Sequence, residues 1–114
     1  MRGETMAAQS RYMDDFNVAG MRYWDGATVL DKLKPGKKLR LVAEPRNRHD
    51  PNAVAIYRKD VKIGYVPRAN NAMIAQLLRF GHHDVVECRI LKVDSEADTW
   101  NQVRVGLYMV DKTA

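Results

Sequence analysis

Alternating apolar and polar side chains predict β-strands along most of the chain. Leu39, Leu41 and Ala43 share one face of such a segment, and Lys38 and Arg40 occupy the other. Because side chains of a strand point alternately to its two faces, this pattern predicts a strand with an apolar inner side and a basic outer side. Similar segments, bounded by turn residues, predict five further strands at 16–20, 53–58, 61–66, 86–90 and 103–109.

One segment has helical periodicity instead. Apolar side chains recur on one face of a predicted helix over 69–80. This apolar stripe consists of Ala69, Met73, Leu77 and Phe80, and it is broadened by Ile74 and Leu78. Asn70 or Asn71 is expected to cap the start of the helix, and Gly81 stands where a C-terminal cap belongs. The stripe is typical of core packing.

The elements together predict a mainly β protein with minor α content. Short strands at regular spacing, closed by one helix, are typical of a small OB-like or SH3-like β-barrel, here with about six strands and one main helix. Gly64, inside the strand at 61–66, indicates a bulge or the close approach of another backbone. A short helical segment is expected over 27–33, with Thr28 as a candidate cap.

The length of 114 residues is that of one domain. We expect a flexible arm at 1–15, the barrel at 16–110 and a tail at 111–114. The lone cysteine, Cys88, excludes an internal disulfide and is expected to be buried in a strand. No run of 18 apolar residues and no signal-peptide pattern are present, so we expect no membrane partner. The expected location is the cytoplasm, or the nucleus if the source is eukaryotic.

The net charge of +5 is unevenly distributed. Between Lys32 and Arg68 there are eleven basic residues and three acidic ones, whereas between Asp84 and Asp98 there are five acidic and two basic residues. A basic segment is the electrostatic feature of a protein that binds a polyanion such as nucleic acid. A solvated surface that keeps the domain dispersed would have the same composition, and charge alone leaves both interpretations open.

A polar loop at 44–53 separates two apolar strands. Its prolines, asparagines and aspartate disfavour regular structure, and it carries four candidate binding residues: Arg46, Arg48, His49 and Asp50. Binding groups commonly lie on loops held by a rigid scaffold. The alternative is a structured turn whose Asn and Asp side chains bond their own backbone. The loop by itself does not decide between the two.

A second group of candidate residues follows the first expected strand. Arg22 can hold a phosphate in a bidentate fork, and Tyr23 can stack on a base. We interpret Trp24 as a core or barrel-rim residue.

The sequence lacks the constellation that an enzyme requires. There is no glycine-rich phosphate loop, nucleophile elbow or set of zinc-spaced ligands. His49 and Asp50 are neighbours on an extended loop, where side chains point apart, so they form a poor acid–base pair. The same argument applies to a metal shared by His82 and His83. We therefore expect no catalytic residue, no metal and no cofactor.

The order of motifs resembles that of a known family. The motifs are Val18-Ala19-Gly20-Met21-Arg22-Tyr23, Leu39-Arg40-Leu41-Val42-Ala43-Glu44-Pro45-Arg46-Asn47, Asp50-Pro51-Asn52-Ala53-Val54 and Ile63-Gly64-Tyr65-Val66-Pro67. Over residues 16–109 this series resembles the HIRAN domain. That family occurs at the N-termini of eukaryotic DNA-remodelling ATPases of replication-fork repair, and as separate or fused modules in bacteria and phages. The resemblance implies an OB-like barrel that binds DNA.

The resemblance also implies roles for single residues in a pocket that captures the 3′ end of single-stranded DNA. Arg22 and Tyr23 match an Arg–aromatic pair, and Asp50 matches an aspartate that accepts a hydrogen bond from the terminal 3′-hydroxyl. Arg68 matches a phosphate-binding residue, and Tyr65 falls at the pocket wall.

The chain departs from the family at one aromatic position, where His49 stands in place of tyrosine. Imidazole stacks less extensively, so end capture is expected to be weaker or replaced by broader polyanion binding. Further phosphate contacts are expected from Lys38, Arg40, Arg46, Arg48 and Lys62. Asn47 and Asn52 are interpreted as residues that shape the loop.

The sequence thus predicts a DNA-binding module that captures a 3′-hydroxyl end in DNA repair or replication-fork processing. A helicase, another ATPase or a nuclease is the expected protein partner. The alternative is a protein-interaction module whose basic face binds an acidic partner without preference for a DNA end.

Overall fold

The computed structural model describes residues 10–111. Its strands are β1 (Ser10–Asn17), β2 (Lys38–Ala43), β3 (Val54–Arg58), β4 (Val61–Tyr65), β5 (Val86–Val93) and β6 (Val103–Val110). Two α-helical segments are present, α1 (Gly26–Val29) and the main helix α2 (Ala72–Arg79). Short 3-10 helices are Met21–Tyr23, Leu30–Lys32, Arg68–Asn70, His83–Val85 and Thr99–Asn101.

The six strands form one antiparallel sheet in the order β1-β6-β5-β2-β3-β4. Just beyond β1, Ala19 pairs with Tyr65 at the end of β4 through two backbone hydrogen bonds of 2.8 Å. This single bridge links the two edges of an otherwise open sheet, which is consistent with a barrel-like OB fold. The prediction of a small, mainly β domain with six strands and one main helix is confirmed.

The core lies on the inner face of the curved sheet. Val86, Cys88 and Ile90 point inward from β5, and alternate residues of the neighbouring β6 join them, as the sequence pattern predicts. Burial raises the pKa of the Cys88 thiol to about 12, so it stays protonated and packs as a small apolar side chain. No helix among residues 10–111 is long and apolar enough to cross a membrane.

The start of the fold differs from the prediction. β1 begins at Ser10, so the expectation of a flexible arm is wrong for residues 10–15, where the backbone pairs with β6 over most of its length. Exposed and buried side chains do not alternate regularly along β1. Tyr12 is exposed, whereas Phe16 is buried. Residues 1–9 of the expected arm and 112–114 of the expected tail lie outside the described residues.

The main helix ends close to the predicted residue, but it begins at Ala72, and its packing face differs from the prediction: Ile74 and Ala75 are buried, whereas Met73 and Phe80 of the predicted stripe are exposed. Gly81 has a φ of +89°, and backbone bonds from Gly81 to Leu78 and from His82 to Leu77 complete a Schellman cap.

Asn71 occupies the N-cap position, but within residues 10–111 no side-chain hydrogen bond caps the start, so the capping expectation for Asn70 or Asn71 is wrong. The side-chain nitrogens of Asn70 and Asn71 instead donate hydrogen bonds of 2.8 Å to Asp14 and Asp50, and these tertiary contacts orient the two side chains.

The capping expectation for Thr28 is also wrong. Asp25 occupies the N-cap position of α1, and the Thr28 hydroxyl donates a hydrogen bond of 2.6 Å to the Asp25 carbonyl.

Candidate nucleic-acid interface

A concave surface lies where the 44–53 loop meets the bridged edge of the sheet. We call it the loop cleft; its volume is ≈ 520 Å³. Side chains from distant parts of the sequence line this cleft, among them Tyr23, Trp24, His49, Asp50, Tyr65 and Arg68. Five of these six were predicted as site residues, and the exception is Trp24.

The backbone of the loop is fixed from within by Asn47. Its side-chain oxygen accepts hydrogen bonds from the backbone N–H groups of His49 (2.8 Å) and Asp50 (3.1 Å). Its amide nitrogen donates to Glu44 Oε1 at 3.0 Å. The interpretation of Asn47 as a loop-shaping residue is confirmed, and the loop is both a capped turn and part of the cleft wall.

The Asp50 carboxylate is held in place from two sides. Oδ2 accepts a hydrogen bond of 2.8 Å from the amide of Asn71, and Oδ1 accepts one of 2.9 Å from the backbone N–H of Asn52. Arg68 Nε lies 3.5 Å from Oδ2. The Asn71 bond, the Asn52 bond and the Arg68 charge keep the pKa of Asp50 below its ordinary value, so the group is an anion at neutral pH.

The Asp50 carboxylate retains capacity for a ligand. Each oxygen of an ionised carboxylate has about two acceptor sites, and within residues 10–111 Oδ1 accepts one hydrogen bond, from the Asn52 N–H. The side chain is 17% exposed and lines the cleft. A hydroxyl group that enters the cleft can therefore donate to this oxygen.

The long Arg68 side chain spans the loop and remains largely exposed. Its Nη2 donates a hydrogen bond of 2.6 Å to the His49 carbonyl, in addition to the Asp50 contact. A guanidinium has five N–H donors, so these contacts leave donors for a phosphate. The His49 backbone is thus fixed at both its N–H and its carbonyl, while its side chain is exposed.

A polar network supports Tyr65 in the wall of the loop cleft. Glu44 accepts hydrogen bonds from Lys62 Nζ (2.7 Å) and from the Tyr65 hydroxyl (2.8 Å). Partial burial raises the pKa of Glu44, but the bonds from Lys62, Asn47 and Tyr65 outweigh this effect and the net pKa is lowered. Burial is also the largest influence on the pKa of Lys62, and it lowers that pKa. The contact with Glu44 acts in the opposite direction, and the net pKa of Lys62 is raised. The pair is therefore charged at neutral pH.

The aromatic rings at the mouth of the cleft differ in how firmly they are held. Lys62 Nζ lies 4.0 Å from the centre of the Trp24 ring, and Trp24 meets the Tyr65 ring edge to face. Tyr23 is 74% exposed and Trp24 is 40% exposed. Both follow Gly20, whose φ of +74° turns the chain away from the sheet. Flat, exposed rings of this kind can stack on bases.

Gly64 allows the two sides of the cleft to meet. A Cβ at this position would lie 2.4 Å from the Ala19 carbonyl oxygen and 2.6 Å from a methyl group of Val18. The pairing with β3 also shifts register beside Gly64. The prediction of a bulge and a close backbone approach at this glycine is confirmed.

The remaining predicted site residues lie outside the loop cleft. Arg22 is exposed, with its guanidinium 5.3 Å from the Tyr23 ring centre, and does not line the cleft. Arg46 and Arg48 are exposed on the outer side of the loop. The ammonium of Lys62 is engaged by Glu44 and its side chain is only 16% exposed, which leaves little of it for a phosphate.

Lys38 and Arg40 lie further along β2. Lys38 Nζ pairs with Glu87 at 3.1 Å, and the Arg40 guanidinium donates to the Lys59 carbonyl and stacks over the Tyr57 ring. Among residues 10–111, no group of three or more His, Cys, Asp or Glu side chains is arranged to hold a metal ion.

Two residues of the cleft were missed from the sequence. Trp24 follows Tyr23 directly, and that adjacency was the available signal for a paired stacking surface. Asn71 looked like a helix cap, but it is 3% exposed and positions Asp50. No local signal identifies such a contact across 21 residues. Asn52, in contrast, is structural as predicted, since its side-chain oxygen accepts a hydrogen bond from Gln76 on α2.

Comparison with known proteins extends this description. The HIRAN domain family model matches residues 12–109. A protein from Lactobacillus plantarum with a solved crystal structure has a TM-score of 0.77 and 23% identity, covering 92% of this chain and 99% of that chain. The HIRAN domain of human HLTF has a TM-score of 0.58 and 17% identity, covering 89% and 73%. A comparison with curated protein sequences finds no match.

At these identities the two solved structures bear on the fold alone. The family match instead spans nearly the whole chain, including every residue of the loop cleft. The chain therefore belongs to the HIRAN domain family.

Proposed function

We propose that this protein binds single-stranded DNA and captures its 3′-hydroxyl end in the loop cleft. Membership of the HIRAN family supports DNA binding in general. The observation that carries the finer proposal is the Asp50 carboxylate, fixed at the cleft between Asn71 and Asn52 and flanked by exposed rings. We place this activity in DNA repair or replication-fork processing.

The carboxylate selects the chemistry of the terminus. An ionised aspartate accepts hydrogen bonds and donates none, so it bonds a free 3′-hydroxyl and repels a 3′-phosphate. The lowered pKa of Asp50 keeps this property throughout the neutral range. A continuous strand has no free hydroxyl to offer at this point, so the contact favours ends.

The rings and the arginine supply the rest of the binding. Tyr23, Trp24 and His49 offer faces for the terminal bases, and stacking on a ring tolerates any base. Arg68 faces the same cleft and can contact the last phosphate. The expected ligand is therefore a 3′ end of any sequence, bound with a moderate dependence on salt.

A helicase, another ATPase or a nuclease would act on the strand, and this module would hold its end.

The stacking role is tested with Tyr23→Ala, measured by fluorescence anisotropy on a labelled oligonucleotide with a 3′-hydroxyl. Base–ring stacking is worth about 1–3 kcal/mol, so affinity should fall roughly 10-fold or more. Phe80→Ala is the matched control, because Phe80 is 69% exposed but lies at the far end of α2. Equal affinity of the Tyr23→Ala variant and the wild type would contradict the proposal.

A further inference from the structure

A second cleft, of ≈ 330 Å³, lies at the opposite end of β2 and β3 from the loop cleft. It is formed where the 3-10 turn Leu30–Lys32, the start of β2 and the β3–β4 turn converge. Five of its lining side chains are cationic: Lys32, Lys37, Lys38, Arg58 and Lys59. We call it the lysine cleft.

Most of these cations have no acidic partner. Lys38 pairs with Glu87 at 3.1 Å, and within residues 10–111 the other four make no ion pair. Asp31, next to Lys32 in sequence, lines a separate depression on the other side of the turn. Like charges gathered around a concave surface repel one another and raise the local concentration of anions. An anionic ligand would relieve this repulsion.

The lining indicates which part of a polyanion would bind. Among its described residues the lysine cleft contains no aromatic ring, so it offers no face for a base. Lysine ammonium groups are mobile point charges with several donors, suited to phosphate oxygens in many orientations. This chemistry fits a sugar–phosphate backbone read without regard to sequence.

The two clefts are joined along one strand. Ala53 lines the loop cleft and Arg58 lines the lysine cleft, and at about 3.3 Å per residue they are roughly 16 Å apart along β3. A strand with B-form rise of about 3.4 Å per nucleotide covers this distance in roughly five nucleotides.

A cation also lies between the clefts. Arg40 stacks over Tyr57 on the outer face of the sheet, 4.7 Å from the ring centre, and Nη2 donates to the carbonyl of Lys59 in the lysine cleft.

We propose that the lysine cleft binds the phosphodiester backbone of the strand whose 3′ end occupies the loop cleft, about five nucleotides upstream. The proposal deepens the proposed function and rests on it for the identity of the strand. It gives the module two contacts of different kind: one selects the end and the other adds affinity that depends on salt.

The test compares a tetranucleotide, too short to reach both clefts, with a dodecanucleotide, both carrying a 3′-hydroxyl. Affinities are measured by anisotropy over a range of salt concentrations for the wild type and Lys37→Gln/Lys59→Gln. Each phosphate contact on a single strand contributes about 0.7 to the slope of log affinity against log salt. The double variant should lower the dodecanucleotide slope by about 1.4 and its affinity about tenfold, with tetranucleotide binding unchanged.

The matched control is Arg79→Gln/Lys92→Gln, which removes the same charge from exposed positions outside both clefts. Its dodecanucleotide slope should stay near the wild-type value, whereas an equal loss in both double variants would overturn the proposal. Equal slopes of the wild type for the two oligonucleotides would also overturn it, without reliance on any variant.

Failure of the end-capture proposal would give a different experimental result from failure of the lysine-cleft proposal. In that case the wild type would bind 3′-hydroxyl and 3′-phosphate strands equally. The slope effect of Lys37→Gln/Lys59→Gln on the dodecanucleotide would still support backbone binding in the lysine cleft.

Discussion

The loop cleft and the lysine cleft lie at opposite ends of the same two strands, yet their linings differ in kind. The loop cleft has four rings and a fixed carboxylate, and Arg68 is the one Lys or Arg among its described lining residues. The lysine cleft has five cations and no aromatic ring among the lining residues that the structure describes. The first lining can recognise shape and a hydrogen-bond donor, whereas the second can recognise little except negative charge.

The clefts also differ in how firmly their side chains are held in the absence of a ligand. In the loop cleft, Asp50 and Asn47 are each held by two or more hydrogen bonds. In the lysine cleft, Lys37 and Lys59 are exposed, and within residues 10–111 neither ammonium group makes an ion pair. Selectivity requires fixed groups, because a mobile acceptor would adapt to the wrong terminus. Backbone binding has no such requirement, and mobile lysines suffice.

The largest expected effect comes from Gly64→Ala, which disrupts the close backbone approach that supports the loop cleft. The added Cβ would clash with the Ala19 carbonyl and force apart the bridge between Ala19 and Tyr65. Overpacking against backbone should lower the free energy of unfolding by about 3 kcal/mol, measured by urea denaturation.

The folded Gly64→Ala variant should lose the preference for a 3′-hydroxyl end while its salt-dependent binding persists, since the lysine cleft lies at the other end of β3. Gly36→Ala is the control: that glycine lies in the turn before β2, with open space around its Cβ position, although its φ of +89° carries a strain cost. Wild-type stability of Gly64→Ala would contradict the close approach.

A smaller effect is expected from Glu44→Gln, which weakens the wall of the loop cleft. The Lys62 ammonium would lose its counter-charge, so stability should fall by about 2 kcal/mol at neutral pH. The pKa of Glu44 is lowered in the fold, so its contribution is present above the ordinary pKa of a glutamate and is lost as pH falls through the lower pKa of the folded state. The difference from the wild type should therefore shrink in acid.

Glu87→Gln is the matched control for this comparison. Glu87 also has a lowered pKa, for which burial is opposed by bonds from Lys38 and Arg89, and its side chain is 22% exposed against 23% for Glu44. Both variants should lose acid-sensitive stability, but Glu44→Gln alone should weaken binding of a tetranucleotide with a 3′-hydroxyl. Equal affinity of the two variants for the tetranucleotide would mean that the polar network of Glu44 does not support binding in the loop cleft.

The smallest effect is expected from His49→Tyr, which enlarges one stacking face. The His49 backbone is held at both its N–H and its carbonyl, so the new ring should occupy the same place. A larger face should raise affinity for a 3′-hydroxyl strand by less than about 1 kcal/mol, or a few-fold in anisotropy. Weaker binding by the tyrosine variant would mean that imidazole makes a specific contact.

The sequence predicted the fold well where alternation and turns are local signals. The β2 bounds were predicted without error, and Gly64 pointed to the close approach that joins the sheet edges. The start of β1 was missed because its pairing with β6 overrides a weak pattern. In the loop cleft, the loop composition indicated Asp50 and the resemblance supplied its role, but the Asn71 contact that fixes it depends on the placement of α2.

The central claim is that Asp50 selects a 3′-hydroxyl end, and Asp50→Asn tests it most directly. Asparagine keeps the size and an acceptor oxygen but removes the negative charge. Anisotropy is measured for one labelled strand ending in a 3′-hydroxyl and for the same strand ending in a 3′-phosphate. We predict that the wild type binds the hydroxyl end at least about tenfold more tightly, and that Asp50→Asn loses most of this preference by gaining affinity for the phosphate end. Equal binding of both ends by the wild type, or an unchanged preference in Asp50→Asn, would contradict the account.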